Sequence, residues 1–107
     1  MDTKLHQCTI NMIDVQGDRA LVRPVGDLDG FTGPPLGAML SQVARRGVRH
    51  FTIDMSLVTF ADSGAIHSIE HLLRDHPETI VTLVGTSDVF RTLLTVSGLD
   101  AHLGLVS

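Results

Sequence analysis

The segment His67-Ser68-Ile69-Glu70-His71 places two imidazoles four residues apart, with a carboxylate between them. This H-x-x-E-H pattern matches the inverted zinc-protease signature. A catalytic zinc also needs a third protein ligand and a cleft for the substrate, and a chain of 107 residues leaves little room for a second lobe. The sequence therefore favours a solvated helix face without metal or cofactor. A zinc hydrolase using His67, Glu70 and His71 is the enzymatic alternative.

Other polar residues could also be combined into an active site. Ser63 with a histidine base would resemble a hydrolase triad, but the Gly-x-Ser-x-Gly turn that holds such a serine is absent. Four aspartates near the ends of predicted strands could hold Mg²⁺: Asp27, Asp29, Asp54 and Asp62. Aspartate is equally typical of turns and helix N-caps. The interpretation we favour is turn and cap chemistry in a protein that is not an enzyme.

The tetrapeptide Asp62-Ser63-Gly64-Ala65 stands at the predicted start of a helix. We expect the Ser63 hydroxyl at the N-cap, exposed beside first-turn N–H groups that carry partial positive charge. A phosphate on Ser63 would be tolerated there. Taken alone, the tetrapeptide is equally typical of an ordinary cap.

Hydrophobic periodicity supplies the elements that must position these residues. It predicts strands over 8–13, 20–25, 50–55, 80–84 and 103–106, and helices over 35–46 and 63–75 and after Ser87-Asp88. Loops are expected at 26–33 and 56–62, and Pro24 indicates an edge strand or an interrupted one. The order ββαβαβα(β) predicts an α/β fold, a mixed sheet with helices packed on it, as a single domain over 1–107.

Composition limits the possible functions. The chain is 43% hydrophobic and 19% charged, which favours a folded protein, and its net charge of −4 argues against direct nucleic-acid binding. It has a single cysteine, no signal-peptide pattern and no apolar run long enough for membrane insertion. We therefore expect a cytoplasmic protein.

Three segments resemble the STAS domain family, and within it the stand-alone bacterial anti-sigma factor antagonists. Gly-Asp-Leu-Asp at 26–29, with Thr32 and Leu36 following, resembles the family's entry into its first helix. Residues 51–63, ending in Asp-Ser, resemble the family's strand, loop and phosphorylation site. Residues 84–100 resemble its closing strand, helix and turn. The resemblance covers nearly the full length of the chain.

The resemblance implies a partner switch in transcription regulation. In that family the antagonist binds an anti-sigma factor with serine kinase activity, phosphorylation releases it, and a protein phosphatase resets it. On this chain the implied acceptor is Ser63. The implied partner-binding residues are Asp27, Asp29, Asp62, Ser63, Gly64, Ala65, Ile66 and His67.

Two positions depart from the family pattern. Gly64 stands where the family often has a second hydroxyl, and His67 replaces a residue that is usually small. These departures leave an alternative open, a STAS subunit of a sensory scaffold or membrane transporter complex that is not phosphorylated.

Overall fold

The computed structural model describes residues 8–106 and, among these, the side chains of residues 14–104. Within this range the strands are β1 (Cys8–Gln16), β2 (Arg19–Leu28), β3 (His50–Asp54), β4 (Val58–Ala61), β5 (Ile80–Val84) and β6 (Gly104–Val106). The helices are α1 (Gly33–Arg45), α2 (Ser63–Asp75) and α3 (Asp88–Ser97), and a short 3-10 helix covers Leu99–His102. None of these helices is long and apolar enough to cross a bilayer.

All the strands belong to one mixed sheet. Its order is β1-β2-β3-β5-β6, with β4 pairing to β2 outside this path. Strands β1 and β2 form an antiparallel hairpin, and the other pairs are parallel. The predicted α/β class, with helices packed on a mixed sheet, is confirmed.

Strand β2 has two successive partners on the same side. Its first half pairs with β3 along Arg19–Val22, and its end pairs with β4 along Gly26–Leu28. Pro24 lies where the partner changes, opposite a register shift in β1, so a residue without an N–H costs no hydrogen bond on that side. The strand itself is continuous through Pro24 and lies inside the sheet, and only its pairing on that side is interrupted.

The prediction of loops at 26–33 and 56–62 was partly wrong. Residues 26–28 continue β2, and residues 58–61 form β4. Sequence periodicity did not reveal this parallel pairing because β4 is short and its side chains are partly or largely exposed. The pairing matters for the site, since β4 leads directly into α2.

The core lies on one face of the sheet. Burial alternates along β2, β3 and β5, so that Val22, Phe51, Ile53, Val81 and Leu83 point into it. The alternation shows that β5 is buried on one face only, although its continuous apolar run favoured burial on both. Apolar residues of all three helices complete the core, among them Leu36, Leu40, Ile69, Leu72, Phe90 and Leu94.

Candidate functional site

Asp62, not Ser63, is the N-cap of α2. The Gly64 N–H donates to Asp62 Oδ1 at 2.8 Å, and the Ala65 N–H donates to the Asp62 carbonyl oxygen at 3.0 Å. Ser63 is the first helical residue, and its side chain is exposed. The prediction that Ser63 caps the helix was therefore wrong, because a carboxylate one position earlier takes the first-turn N–H group. The Ser63 hydroxyl remains available at the surface.

The turn between β2 and α1 holds the start of α2 in place. Asp29 Oδ1 accepts hydrogen bonds from the N–H groups of Phe31 (2.9 Å) and Thr32 (3.2 Å). The Asp62 N–H donates to the Leu28 carbonyl oxygen at 3.2 Å. The Asp29 bonds shape the turn itself, and the Asp62 to Leu28 bond joins it to a segment that is distant in the sequence.

Asp29 is only 4% exposed. Its carboxylate shapes the turn and does not present itself to a partner, so the expectation that it forms part of a docking surface does not fit the structure. Gly64, Ala65 and Ile66 are also buried. Ala65 and Ile66 pack into the core, which fixes the N-terminal turn of α2 against the sheet.

Gly64 lies against the β2–α1 turn. A Cβ added at this position would overlap the backbone of Asp29 and Gly30. On the other side, a Cβ at Gly33 would lie 2.6 Å from the Gly64 carbonyl oxygen, and the Ser68 hydroxyl is 2.8 Å from that oxygen and 3.0 Å from the Gly33 carbonyl oxygen. Close packing of the β2–α1 turn on α2 therefore excludes a side chain at position 64. This accounts physically for the absence of a second hydroxyl beside Ser63.

The accessible part of the predicted partner surface is acidic. Ser63 and His67 are exposed, while Asp27 and Asp62 are partly exposed. Asp27 Oδ1 accepts a 2.8 Å hydrogen bond from the Thr59 hydroxyl, which links β2 to β4 across the sheet. The Asp27 carboxylate therefore lies near the end of β2. The Asp62 carboxylate lies between the end of β4 and the start of α2.

Two exposed phenylalanines flank this acidic surface and were missed in the sequence. Phe31, in the turn that contacts Gly64, is 76% exposed, and Phe60, in register with Asp27, is 53% exposed. Large apolar side chains in such positions are often interface residues. Because Phe31 and Phe60 fall in segments predicted as loops, no periodicity in the sequence marked them as exposed. We call Phe31, Phe60, Asp27, Asp62 and Ser63 the α2 surface.

Asp54 has a separate structural role. Its Oδ2 is 3.2 Å from Arg23 Nε, and its Oδ1 accepts a hydrogen bond from the Ser56 N–H at 3.0 Å. Hydrogen bonds from Ser56, reinforced by Arg23, hold the pKa of Asp54 below its usual value against the opposing effect of burial. The four aspartates considered as Mg²⁺ ligands thus have individual turn, cap or pairing contacts.

The polar residues of the H-x-x-E-H motif, His67, Glu70 and His71, lie on one side of α2. His67 and His71 are exposed and, with Arg45 of α1, line a groove of about 330 Å³ between the two helices. His71 Nδ1 pairs with Asp75 Oδ2 at 3.2 Å. Among the side chains described, 14–104, no group of three histidine, cysteine, aspartate or glutamate residues is placed to hold a metal ion.

Comparisons with known structures agree with this architecture. The chain is similar to an anti-sigma factor antagonist from Mycobacterium paratuberculosis, with a TM-score of 0.80 and 21% identity over 96% of this chain and 88% of that one. It is similar to the phosphorylated form of the Bacillus cell fate determinant SpoIIAA, with a TM-score of 0.63 and 18% identity over 94% and 92%. It is also similar to a sulfate transporter family protein from Wolinella succinogenes, with a TM-score of 0.67 and 22% identity over 85% and 75%.

Sequence comparison with curated proteins gives no match. The family described as Mlab, STAS domain, matches residues 11–107. This match covers both helices of the groove, the β2–α1 turn and the whole α2 surface. The chain therefore belongs to the STAS domain family.

Proposed function

We propose that this protein is an anti-sigma factor antagonist, a binding protein without catalytic activity of its own. Its unmodified form binds an anti-sigma factor that is also a serine kinase, and phosphorylation of Ser63 releases it. A protein phosphatase restores the binding form, all in the cytoplasm. The observation that carries the proposal is the exposed Ser63 hydroxyl at the first position of α2, with Asp62 occupying the cap.

The geometry leaves one acceptor at this helix end. Ser63 is exposed, whereas the neighbouring position 64 has no space for a side chain. In the transfer step the Ser63 oxygen attacks the γ-phosphorus of ATP, the bond to ADP breaks, and the serine proton passes to a base of the kinase. The kinase also supplies Mg²⁺ and the nucleotide site. This chain contributes the hydroxyl and the surface on which the kinase docks.

The α2 surface indicates the character of the partner. Asp27 and Asp62 favour a basic contact, and the exposed rings of Phe31 and Phe60 favour apolar recesses beside it. Phosphorylation adds about −1.5 to −2 charges at the centre of this contact. Two unit charges ~7 Å apart attract or repel each other with an energy of roughly 1 kcal/mol at an effective dielectric constant of ~40. A few unfavourable pairs weaken binding by about 100-fold.

The test uses the anti-sigma kinases encoded in the source genome, purified and incubated singly with this protein and ATP. Mass spectrometry should find one phosphate on the wild type and none on Ser63→Ala, while Ser63→Ala keeps its binding to the kinase. Thr59→Ala is the matched control, since Thr59 is another exposed hydroxyl close to the site. The Thr59→Ala variant should still be phosphorylated at Ser63. A phosphate retained by Ser63→Ala would contradict the proposal.

A second candidate is a STAS subunit of a membrane transporter complex that is not phosphorylated. It is favoured by the likeness to a sulfate transporter family protein. Under this alternative no kinase modifies Ser63, and Ser63→Ala behaves as the wild type in every assay. The same α2 surface would then hold a permanent partner.

A further inference from the structure

His67 follows Ser63 by four residues on α2, and both side chains are exposed. Residues four apart on a helix lie on the same side, with Cβ atoms about 6 Å apart. A phosphate carried by Ser63 therefore lies within reach of the His67 imidazole.

Two of the first-turn N–H groups of α2 are already engaged and are not open to this phosphate. The Asp62 carboxylate already accepts the Gly64 N–H, and the Asp62 carbonyl accepts the Ala65 N–H. A phosphate on the first helical residue thus meets a carboxylate at the position where it would need donors. Its counter-charge has to come from a side chain.

The other charged groups around His67 are less well placed to supply that charge. On α2 these are Glu70, the pair formed by His71 and Asp75, whose nitrogen and oxygen are 3.2 Å apart, and Arg74 in the last turn, about three turns from Ser63. From α1 the charged residue lining the groove is Arg45. Arg45 ends α1, about three helical turns from the end of the groove near Ser63. His67 is the basic side chain one turn from the acceptor.

We propose that the protonated His67 imidazole is the counter-ion of phosphorylated Ser63, which makes the charge of the modified surface depend on pH. This inference rests on the proposed function only in that Ser63 is the modified residue. The imidazolium form of His67 cancels part of the phosphate charge, and the modified protein then repels its partner less. With the neutral imidazole the full phosphate charge is exposed.

The experiment incorporates phosphoserine at position 63 by codon reassignment, so it needs no kinase. Phosphorus NMR then follows the second ionisation of the phosphate. In the wild type its midpoint should lie roughly 0.3–0.7 of a pH unit below that of His67→Gln, as expected for a dianion paired at this helical spacing. The His67 ring resonances should titrate at correspondingly higher pH when Ser63 carries phosphate.

His71→Gln is the matched control, because it removes another exposed histidine of the same helix two turns from Ser63. Its phosphorus midpoint should equal that of the wild type. Equal midpoints in wild type and His67→Gln, with native amide spectra for both, would overturn the inference, as would an equal shift in both histidine variants. If no kinase modifies Ser63 but the midpoints still differ as expected, the proposed function fails while the ion pair stands.

Discussion

The N-termini of α2 and α3 are both capped by a side chain, but by different residue types. At α3 the cap is Ser87, whose hydroxyl oxygen accepts the Phe90 N–H at 3.1 Å. At α2 the cap is Asp62, and the serine stands one position later. Since a capping hydroxyl is engaged with the backbone, Ser87 is committed to its helix. The carboxylate at α2 leaves the Ser63 hydroxyl unengaged at the cap and exposed at the surface.

The next position along the two helices differs even more. Val89, the second residue of α3, is 72% exposed, whereas Gly64, the second residue of α2, is buried against the β2–α1 turn. One helix begins in solvent and the other begins inside a packed interface. The N-terminal end of α2, where Ser63 is exposed, is therefore held in place by the β2–α1 turn.

Replacing the second residue of each helix should give the largest difference in the free energy of unfolding. We expect Gly64→Ala to lower the free energy of unfolding by roughly 2–4 kcal/mol, because its Cβ overlaps a backbone that has little room to move. Val89→Ala should change it by less than about 0.5 kcal/mol. Urea denaturation measures both.

A second glycine makes the control stricter. A Cβ at Gly37, in the same interface between α1 and α2, would meet Ser68 at an ordinary 3.5 Å. Gly37→Ala should therefore be neutral or stabilising by up to about 1 kcal/mol, since alanine favours a helix. A loss in Gly64→Ala no greater than that in Gly37→Ala would show that the close approach at position 64 has been misjudged.

The caps provide the next contrast. Asp62→Ala and Ser87→Ala should each lower the free energy of unfolding by about 1 kcal/mol, the usual cost of an N-cap. Ser63→Ala should cost less than about 0.5 kcal/mol, because its hydroxyl does not cap. Thermal and urea unfolding of the three variants test the assignment. A cost for Ser63→Ala equal to that of Asp62→Ala would make serine the cap after all.

The smallest effect concerns the loop between β3 and β4. Asp54 has a lowered pKa, chiefly through its hydrogen bonds with Ser56, so it stabilises the fold above the ordinary carboxyl pKa and stops doing so as the pH falls through its folded pKa. Asp54→Asn should cost roughly 0.5–1 kcal/mol at neutral pH.

That cost should vanish as the pH is lowered to about 2. Urea denaturation of wild type and variant across this range measures the difference. Ser56→Ala should reproduce part of it, since Ser56 supplies the largest lowering of the Asp54 pKa. Curves for wild type and Asp54→Asn that stay parallel at every pH would refute the coupling.

Local patterns in the sequence predicted the helices better than the strands. The bounds of α2 follow from its apolar stripe and Pro77, and the α3 cap from Ser87-Asp88. The choice of Ser63 as the cap of α2 was wrong, because serine and aspartate both cap well and the outcome depends on where β4 ends. Asp29 was expected on the partner surface because the family resemblance implied it. Its burial follows from the approach of Gly64, which no local pattern records.

The pairing of β4 with β2 has a consequence for what a kinase can recognise. Phe60, Asp62 and Ser63 come from one stretch of chain, while Asp27 and Phe31 come from another, and the Asp62 to Leu28 hydrogen bond joins the two. A short peptide copied from residues 58–67 would carry the acceptor without the second half of the α2 surface. An unfolded chain carries both stretches without bringing them together. Under the proposed function, a kinase that contacts both halves therefore tests the conformation of the chain before it modifies Ser63.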